Sequence, residues 1–396
     1  MKKRFLFHTL IEYLERKEAL VITGMRQVGK TTLLRQIYDH LGNRPKLWFD
    51  FENPLDVKIF EDIDYDNVYK RLEKLAEKKY PEKIFVFIDE IQVFPEITKI
   101  IKFLIDHYQM KFIVTGSSNY YLKNVFPESL SGRKFLFQLE PLGFKEYLYF
   151  REKISLAEAQ SSGLRNAISQ SNIFNHKKFE VEYENFSSYG GFPAVVLEED
   201  RKTKQRILKN IFASFFEKDL KILADYKDMQ ELRDLLLLLV PRIGSVLDIT
   251  KIASELGVNR PKIYHYLEFL QGTFVIKLVP KYSKSIDRSV AGGKKVYFSD
   301  TGLLRTIGNV NDVQLFENTA VNQLARFGIL SFYNRRNTAE IDAILEKKWA
   351  FEIKLKGTEK DYSKLKKLSK SIGIKNFFVI SKDFSEKEGI ISPVTL

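Results

Sequence analysis

Residues 24 to 31 read Gly-Met-Arg-Gln-Val-Gly-Lys-Thr. Two glycines five apart, followed by a lysine and a hydroxyl, are the parts of a polyphosphate cradle. Glycine lets the backbone wrap closely, so N–H groups along Gly24, Met25, Arg26, Gln27, Val28, Gly29, Lys30, Thr31 and Thr32 can point at phosphate oxygens. Lys30 is expected to reach the β- and γ-phosphates, and the Thr31 hydroxyl to take one position on Mg²⁺. A second acidic element follows. Ile84 to Ile88 is wholly apolar and ends in Asp89-Glu90. Two adjacent carboxylates capping a buried strand have little structural purpose without a cation. Asp89 is expected to hold Mg²⁺ through water, and Glu90 to polarise an attacking water. The ligand this chemistry implies is a nucleoside triphosphate with its magnesium.

These groups need elements to hold them. The apolar run Ala19–Ile22 suits a buried strand, and Leu33, Leu34 and Ile37 recur at helical spacing after Lys30. Residues 46–51 read as a second strand, 65–79 and 95–108 as helices, and 112–115 as a strand running into Gly116-Ser117-Ser118-Asn119. Strands alternating with helices predict a parallel α/β sheet with ligands at the carboxyl ends of its strands.

Residues 23–32, then Phe-Ile-Asp-Glu-Ile-Gln (87–92), Ser-Leu-Ser-Gly-Arg (129–133) and Leu-Glu-Pro-Leu-Gly-Phe (139–144) together resemble the prokaryotic AAA-type P-loop ATPases that carry a restriction-endonuclease-like C-terminal domain. The resemblance covers nearly the whole chain. It implies ATP rather than GTP and an AAA-like core over residues 1–150. It also implies a polar residue after the fourth strand that contacts γ-phosphate or water; Ser117, Ser118 and Asn119 are the candidates, with Asn119 favoured, and all three could equally just turn the chain and cap the next helix. Arg133, by the same resemblance, is a candidate for the arginine that stabilises charge on the transferring phosphoryl group, in its own or a neighbouring subunit. An ordinary surface arginine is the other reading.

Lys and Arg number 64 against 51 Asp and Glu, a net charge of +13, which suits a polyanionic partner. Cysteine is absent, excluding disulfides, thiolate metal sites and cysteine catalysis. No apolar run approaches the ~18 residues of a membrane span. The basic N-terminus is interrupted by Glu12 and Glu15, unlike a signal peptide, so a cytoplasmic location is expected.

Residues 151–240, with the Tyr189-Gly190-Gly191-Phe192-Pro193 break, read as a helical lid and connector. In 241–285, Asp248 caps a helix with Ile249, Ile252, Ala253 and Leu256 on one face, Gly257 ends it, and Asn259 caps a second helix. A strand follows at 273–279. Helix, short turn, helix and strand read as a winged helix-turn-helix, whose second helix would present Arg260, Lys262 and His265 to a DNA groove. Lys277 and Lys281 would be available to phosphates. Such folds also serve as protein–protein joints.

Residues 290–396 carry a possible second chemistry. Glu340-Ile341-Asp342 and Glu352-Ile353-Lys354 lie on two strands around Glu346-Lys347-Lys348. Asp, nine residues, then Glu-x-Lys resembles the restriction-endonuclease-like core. There Asp342 and Glu352 would bind Mg²⁺, Lys354 would orient the attacking water, and Glu317 on the preceding helix would be a further acid. A three-residue loop, 346–348, would set Asp342 opposite Glu352. Ile341 stands where that family usually has proline. A solvated charged hairpin is the alternative.

The whole is thus expected to be an α/β protein: an AAA-like parallel sheet, then a lid, a winged helix and a small nuclease-like α/β domain. Expected partners are ATP and ADP, Mg²⁺, DNA and a second copy of the chain, with no membrane. The function so implied is an ATPase acting on DNA. An ATP-dependent switch, or a protein-remodelling ATPase whose later domains only bind, is the alternative.

Overall fold

A computed structural model describes residues 2–77, 83–116, 132–160, 163–219, 226–283, 285, 292–335 and 339–396. Ser117, Ser118 and Asn119 lie outside the described residues. Two compact units emerge: Met1–Glu140 with Gly272–Phe274, and Pro141–Gln271 with Val275–Leu396. The first unit runs through Glu140.

The first unit is a five-stranded sheet of β1 (Ala19–Thr23), β2 (Lys46–Asp50), β3 (Phe85–Asp89), β4 (Lys111–Gly116) and β5 (Lys134–Gln138). Every pairing is parallel, in the order β2-β3-β4-β1-β5. β1, β3 and β4 are buried along their whole length, which is why they read as continuous apolar runs rather than alternating ones. Helix Ile97–Tyr108 buries Ile97, Ile100, Ile101, Leu104 and Ile105 against one face. The strand order has one consequence for chemistry: β4 stands between the strand that feeds the glycine loop and the strand that ends in Asp89.

The second unit begins with helices, including Ile173–Tyr189 and Tyr226–Leu239. Helix Ile249–Leu256 starts where the Asp248 carboxylate accepts the Lys251 N–H at 3.0 Å, and stops at Gly257, which is left-handed. Helix Arg260–Gly272 follows, with the Asn259 side chain accepting the Lys262 N–H at 2.9 Å. β6 (Ile276–Pro280) then pairs antiparallel with β7 (Lys294–Phe298). β7, which the expected domains place in the C-terminal part, thus pairs with β6 of the preceding part.

The C-terminal sheet has the order β12-β11-β10-β9-β8, built from β8 (Leu330–Arg335), β9 (Ala339–Leu345), β10 (Trp349–Lys354), β11 (Asn376–Ser381) and β12 (Ile390–Ile391). β8, β9 and β10 are antiparallel neighbours. Helix Glu359–Ser371, opened by a Thr358–Asp361 capping box, carries the chain across to parallel β11. Ile341, Ile344, Ala350, Leu365 and Val379 form the core between sheet and helix.

Candidate nucleotide site and C-terminal acidic centre

The glycine loop leaves β1 at Thr23 and enters helix Lys30–His40 at Gly29, whose φ is 96°. Gly24 has φ 151°, and a β-carbon there would lie 2.1 Å from the Leu139 carbonyl oxygen. Only glycine fits that approach. Lys30 is buried and donates to the carbonyls of Gly24 at 3.0 Å and Met25 at 2.9 Å, so its ammonium lies inside the loop. Thr31, next along, is exposed.

Asp89 ends β3, is 4 % exposed, and accepts a hydrogen bond from the Thr115 hydroxyl. That hydroxyl in turn accepts the Glu90 N–H at 3.1 Å. Glu90 adopts a left-handed backbone, φ 55°, and its carboxylate accepts from the Gln92 side-chain amide. A non-glycine residue held in that region stores strain, here at the carboxylate expected to face water. The donor set of Thr31 hydroxyl and Asp89 carboxylate is all oxygen and suits Mg²⁺, which commonly keeps waters and takes one or two carboxylates with substrate phosphates.

Two residues of this site escaped the sequence reading. Thr115 was legible only as the polar end of an apolar strand; its role depends on β4 lying beside β3. Arg4 is buried, donating to the Val28 carbonyl at 2.7 Å and to the Glu140 carbonyl at 2.7 Å. It braces the glycine loop from the first residues of the chain, and no motif announces it.

Arg133 lies elsewhere. It precedes β5 at the amino end of the sheet, where its carbonyl accepts the Ala19 N–H, and its guanidinium pairs with Asp106 at 2.7 Å. Five residues of β1, roughly 16 Å of strand, separate that end from the loop. Acting on a phosphate bound in its own chain is therefore ruled out for Arg133 in this arrangement, because the two lie at opposite ends of the same strands.

On helix Arg260–Gly272, Arg260 and His265 are exposed. Lys262 is not an outward cation: its ammonium pairs with Asp228 at 2.7 Å and Glu231 at 2.5 Å on helix Tyr226–Leu239. Those two carboxylates hold it well above the usual lysine range.

The C-terminal sheet brings the other candidates together. Trp349 stands opposite Leu345 and Phe351 opposite Ala343, a register that continued one step sets Glu352 opposite Asp342. Lys354 lies 2.8 Å from Glu352 and 3.8 Å from Asp342. The Asp342 Oδ2 also accepts the Ile353 N–H at 2.8 Å. Glu317, on helix Asp312–Leu324, accepts from the Tyr297 hydroxyl at 2.8 Å. A β-carbon on Gly244, φ 73°, would lie 2.6 Å from that carboxylate, so a glycine clears the space for Glu317.

Beside these acids sits Lys295, on β7 and 1 % exposed. It pairs with Glu340 and lies 3.8 Å from Asp342 and 3.9 Å from Glu317. Burial works against its charge, but Asp342, Glu317 and Glu340 outweigh burial and hold it protonated above the usual lysine range. Burial together with the Asp342 charge pushes Glu317 up, and pushes Glu352 up to about 7. The sequence reading missed Lys295 and Tyr297. The signal was the period of two: Lys295 and Tyr297 share one face of β7, as Glu340 and Asp342 do on β9. Among the described residues no three acidic or histidine side chains close to the spacing of an all-protein metal cage. Two carboxylates with phosphate and water are the usual Mg²⁺ arrangement instead.

The glycine loop, the acid-tipped β3 and the parallel sheet between them form a P-loop domain of the AAA ATPase type, and the AAA domain family matches residues 16–148. A domain of unknown function (DUF8612) matches residues 180–314. The chain belongs to the same family as an uncharacterized protein of Haemophilus influenzae, 30% identical over 351 residues and covering 85% of this chain and 82% of that one. An uncharacterized protein of Methanocaldococcus jannaschii is 27% identical over 338 residues, 82% of this chain and 71% of its own. Among solved structures the chain is similar to the Walker-type ATPase PABY2304 of Pyrococcus abyssi, with TM-score 0.48, 16% identity, and 76% and 94% of the two chains covered. Among the described residues no helix is long and apolar enough to cross a membrane.

Proposed function

We propose that this protein hydrolyses ATP with Mg²⁺ and acts on DNA, gripping it with a winged helix and engaging its phosphates at a restriction-endonuclease-like C-terminal centre. The observation that carries the DNA part is the convergence of Glu317, Asp342, Glu352 and Lys354 on one centre, from a helix and two strands. Antiparallel β8, β9 and β10 with a helical crossover to β11 support reading this part as nuclease-like.

At the nucleotide site, Lys30 lies where it can exchange two loop carbonyls for phosphate oxygens. Thr31 and Asp89 would hold Mg²⁺, which would draw charge from the phosphates. Glu90 would orient the attacking water, its position set by Thr115 and Gln92. An arginine supplied by a second copy of the chain would complete the charge stabilisation, and Arg133 is proposed for that role. At the C-terminal centre, Asp342 and Glu352 would hold Mg²⁺ and Lys354 would orient water against a phosphodiester. The +13 net charge favours a polyanionic partner. A cytoplasmic location goes with this reading.

The reading in which ATP only switches the arrangement of binding modules is favoured by one observation: Lys262, a candidate DNA contact, is already paired to Asp228 and Glu231. A single experiment separates the two. Plasmid is incubated with the protein, ATP and Mg²⁺ or Mn²⁺, alongside Asp342→Ala and Lys354→Ala. Nicking or linearisation by wild type and its loss in both variants supports cleavage. Intact plasmid throughout, with DNA retained in a salt-dependent shift, supports the switch.

A further inference from the structure

We propose that the buried Lys295 ammonium fills the place of a second metal in the C-terminal acidic centre, so that the centre takes one divalent ion rather than two. This rests on the nuclease-like reading for its chemistry, but its test does not depend on cleavage.

Four carboxylates meet here, those of Glu317, Glu340, Asp342 and Glu352. Asp342 divides them into two halves. Its Oδ1 faces Lys295 at 3.8 Å, and its Oδ2 faces Lys354 at 3.8 Å. On the first side the Lys295 ammonium also touches Glu340 and lies 3.9 Å from Glu317. On the second side Glu352 meets Lys354, whose side chain is 38% exposed. The two ammoniums differ in what they can do. Lys295 is buried and held at its base by β7, whose backbone bridges to Val246 and pairs with Val279. It cannot reach out to a substrate or leave. Lys354 is open to solvent and can turn toward a phosphate.

The Lys295 ammonium fills the side of Asp342 that faces Glu317 and Glu340, whereas the side between Asp342 and Glu352 is held only by the half-exposed Lys354, which can turn away to admit an ion. A second ion would have to sit against the Lys295 ammonium, where like charges repel at short range with little water to screen them. Because Lys295 comes from the β6–β7 hairpin, the ion capacity of the centre is set by the winged-helix part of the chain.

Mn²⁺ is titrated by calorimetry into the nucleotide-free full chain carrying Asp89→Asn, which removes the nucleotide site's own claim on the ion. About one Mn²⁺ per chain is expected, as two carboxylates suit one such ion. Asp342→Asn should abolish it. Lys295→Met, which keeps length and removes charge, should raise the count to about two, and Lys295→Arg should leave it at about one. Two ions in the unsubstituted centre, none at all, or a folded Lys295→Met chain that still takes one, would each overturn the proposal. Should Lys295→Met lose its cooperative melt, the counts in the unsubstituted and Lys295→Arg chains decide between one ion and two. An uncut plasmid with about one Mn²⁺ bound would sink the nuclease reading and leave the role of Lys295 standing.

Discussion

The Thr115 hydroxyl donates to the Asp89 carboxylate while accepting the Glu90 N–H. One side chain on β4 therefore holds both acids at the end of β3. Thr115→Val, which keeps shape and deletes the hydroxyl, should lower ATP turnover several-fold and destabilise the first unit by about 1–3 kcal/mol, the range for orphaning buried hydrogen-bond partners. Steady-state ATPase rates and thermal melts check it. Thr115→Ser should recover most of both.

Glu90→Gln should leave nucleotide affinity within about threefold and cut turnover by roughly a hundredfold or more, since general-base assistance is typically worth that much. Fluorescent-nucleotide binding and phosphate release measure the two separately. Unchanged turnover would remove Glu90 from the chemistry.

Gly24→Ala places a methyl group into the Leu139 carbonyl at a backbone angle that side chains rarely adopt. The loop or β5 must shift. Nucleotide binding should fall by at least about tenfold, equivalent to roughly 1.4 kcal/mol, with a lowered melting temperature. Calorimetry with ATP reads the first and a melt the second.

On the proposed DNA-binding reading, affinity for DNA should respond unequally to two neighbouring basic residues. Arg260→Ala removes an exposed cation and should weaken binding and shallow its salt dependence by about one unit of slope. Lys262→Ala breaks pairs to Asp228 and Glu231 and should chiefly lower stability. Equal losses of DNA affinity with no change in melting would contradict the geometry.

Asp300 is buried and accepts the backbone N–H groups of Gly191 at 2.7 Å and Leu303 at 2.9 Å. Burial is the larger effect and raises its pKa to about 6. The folded chain thus binds a proton more readily than the unfolded one, so this group's contribution to stability falls as pH rises from about 4 to about 6. The stability difference between wild type and Asp300→Asn should shrink across that window, by up to about 3 kcal/mol. A difference independent of pH would show that the carboxyl titrates normally.

Much of this protein could be read from its residues in order. The glycine loop and Asp89-Glu90 declare themselves because phosphate binding needs its groups within one turn, and strand ends are contiguous in sequence. The caps at Asp248 and Asn259 are local as well, each reaching three residues ahead. The three-residue loop at 346–348 and the period of two were enough to bring Asp342 toward Glu352. Other relationships needed the folded chain. Thr115 matters only because β4 inserts between β1 and β3. Arg133 looked suitable beside a strand, yet parallel pairing with β1 carries it to the far end of the sheet. Lys262 looked outward on its own helix, but Asp228 and Glu231, more than thirty residues away, hold it. Lys295 joins the acids only because β7 pairs back on β6 and delivers it there. Short-range geometry is written along the chain; which distant charges become neighbours is decided when strands choose their partners.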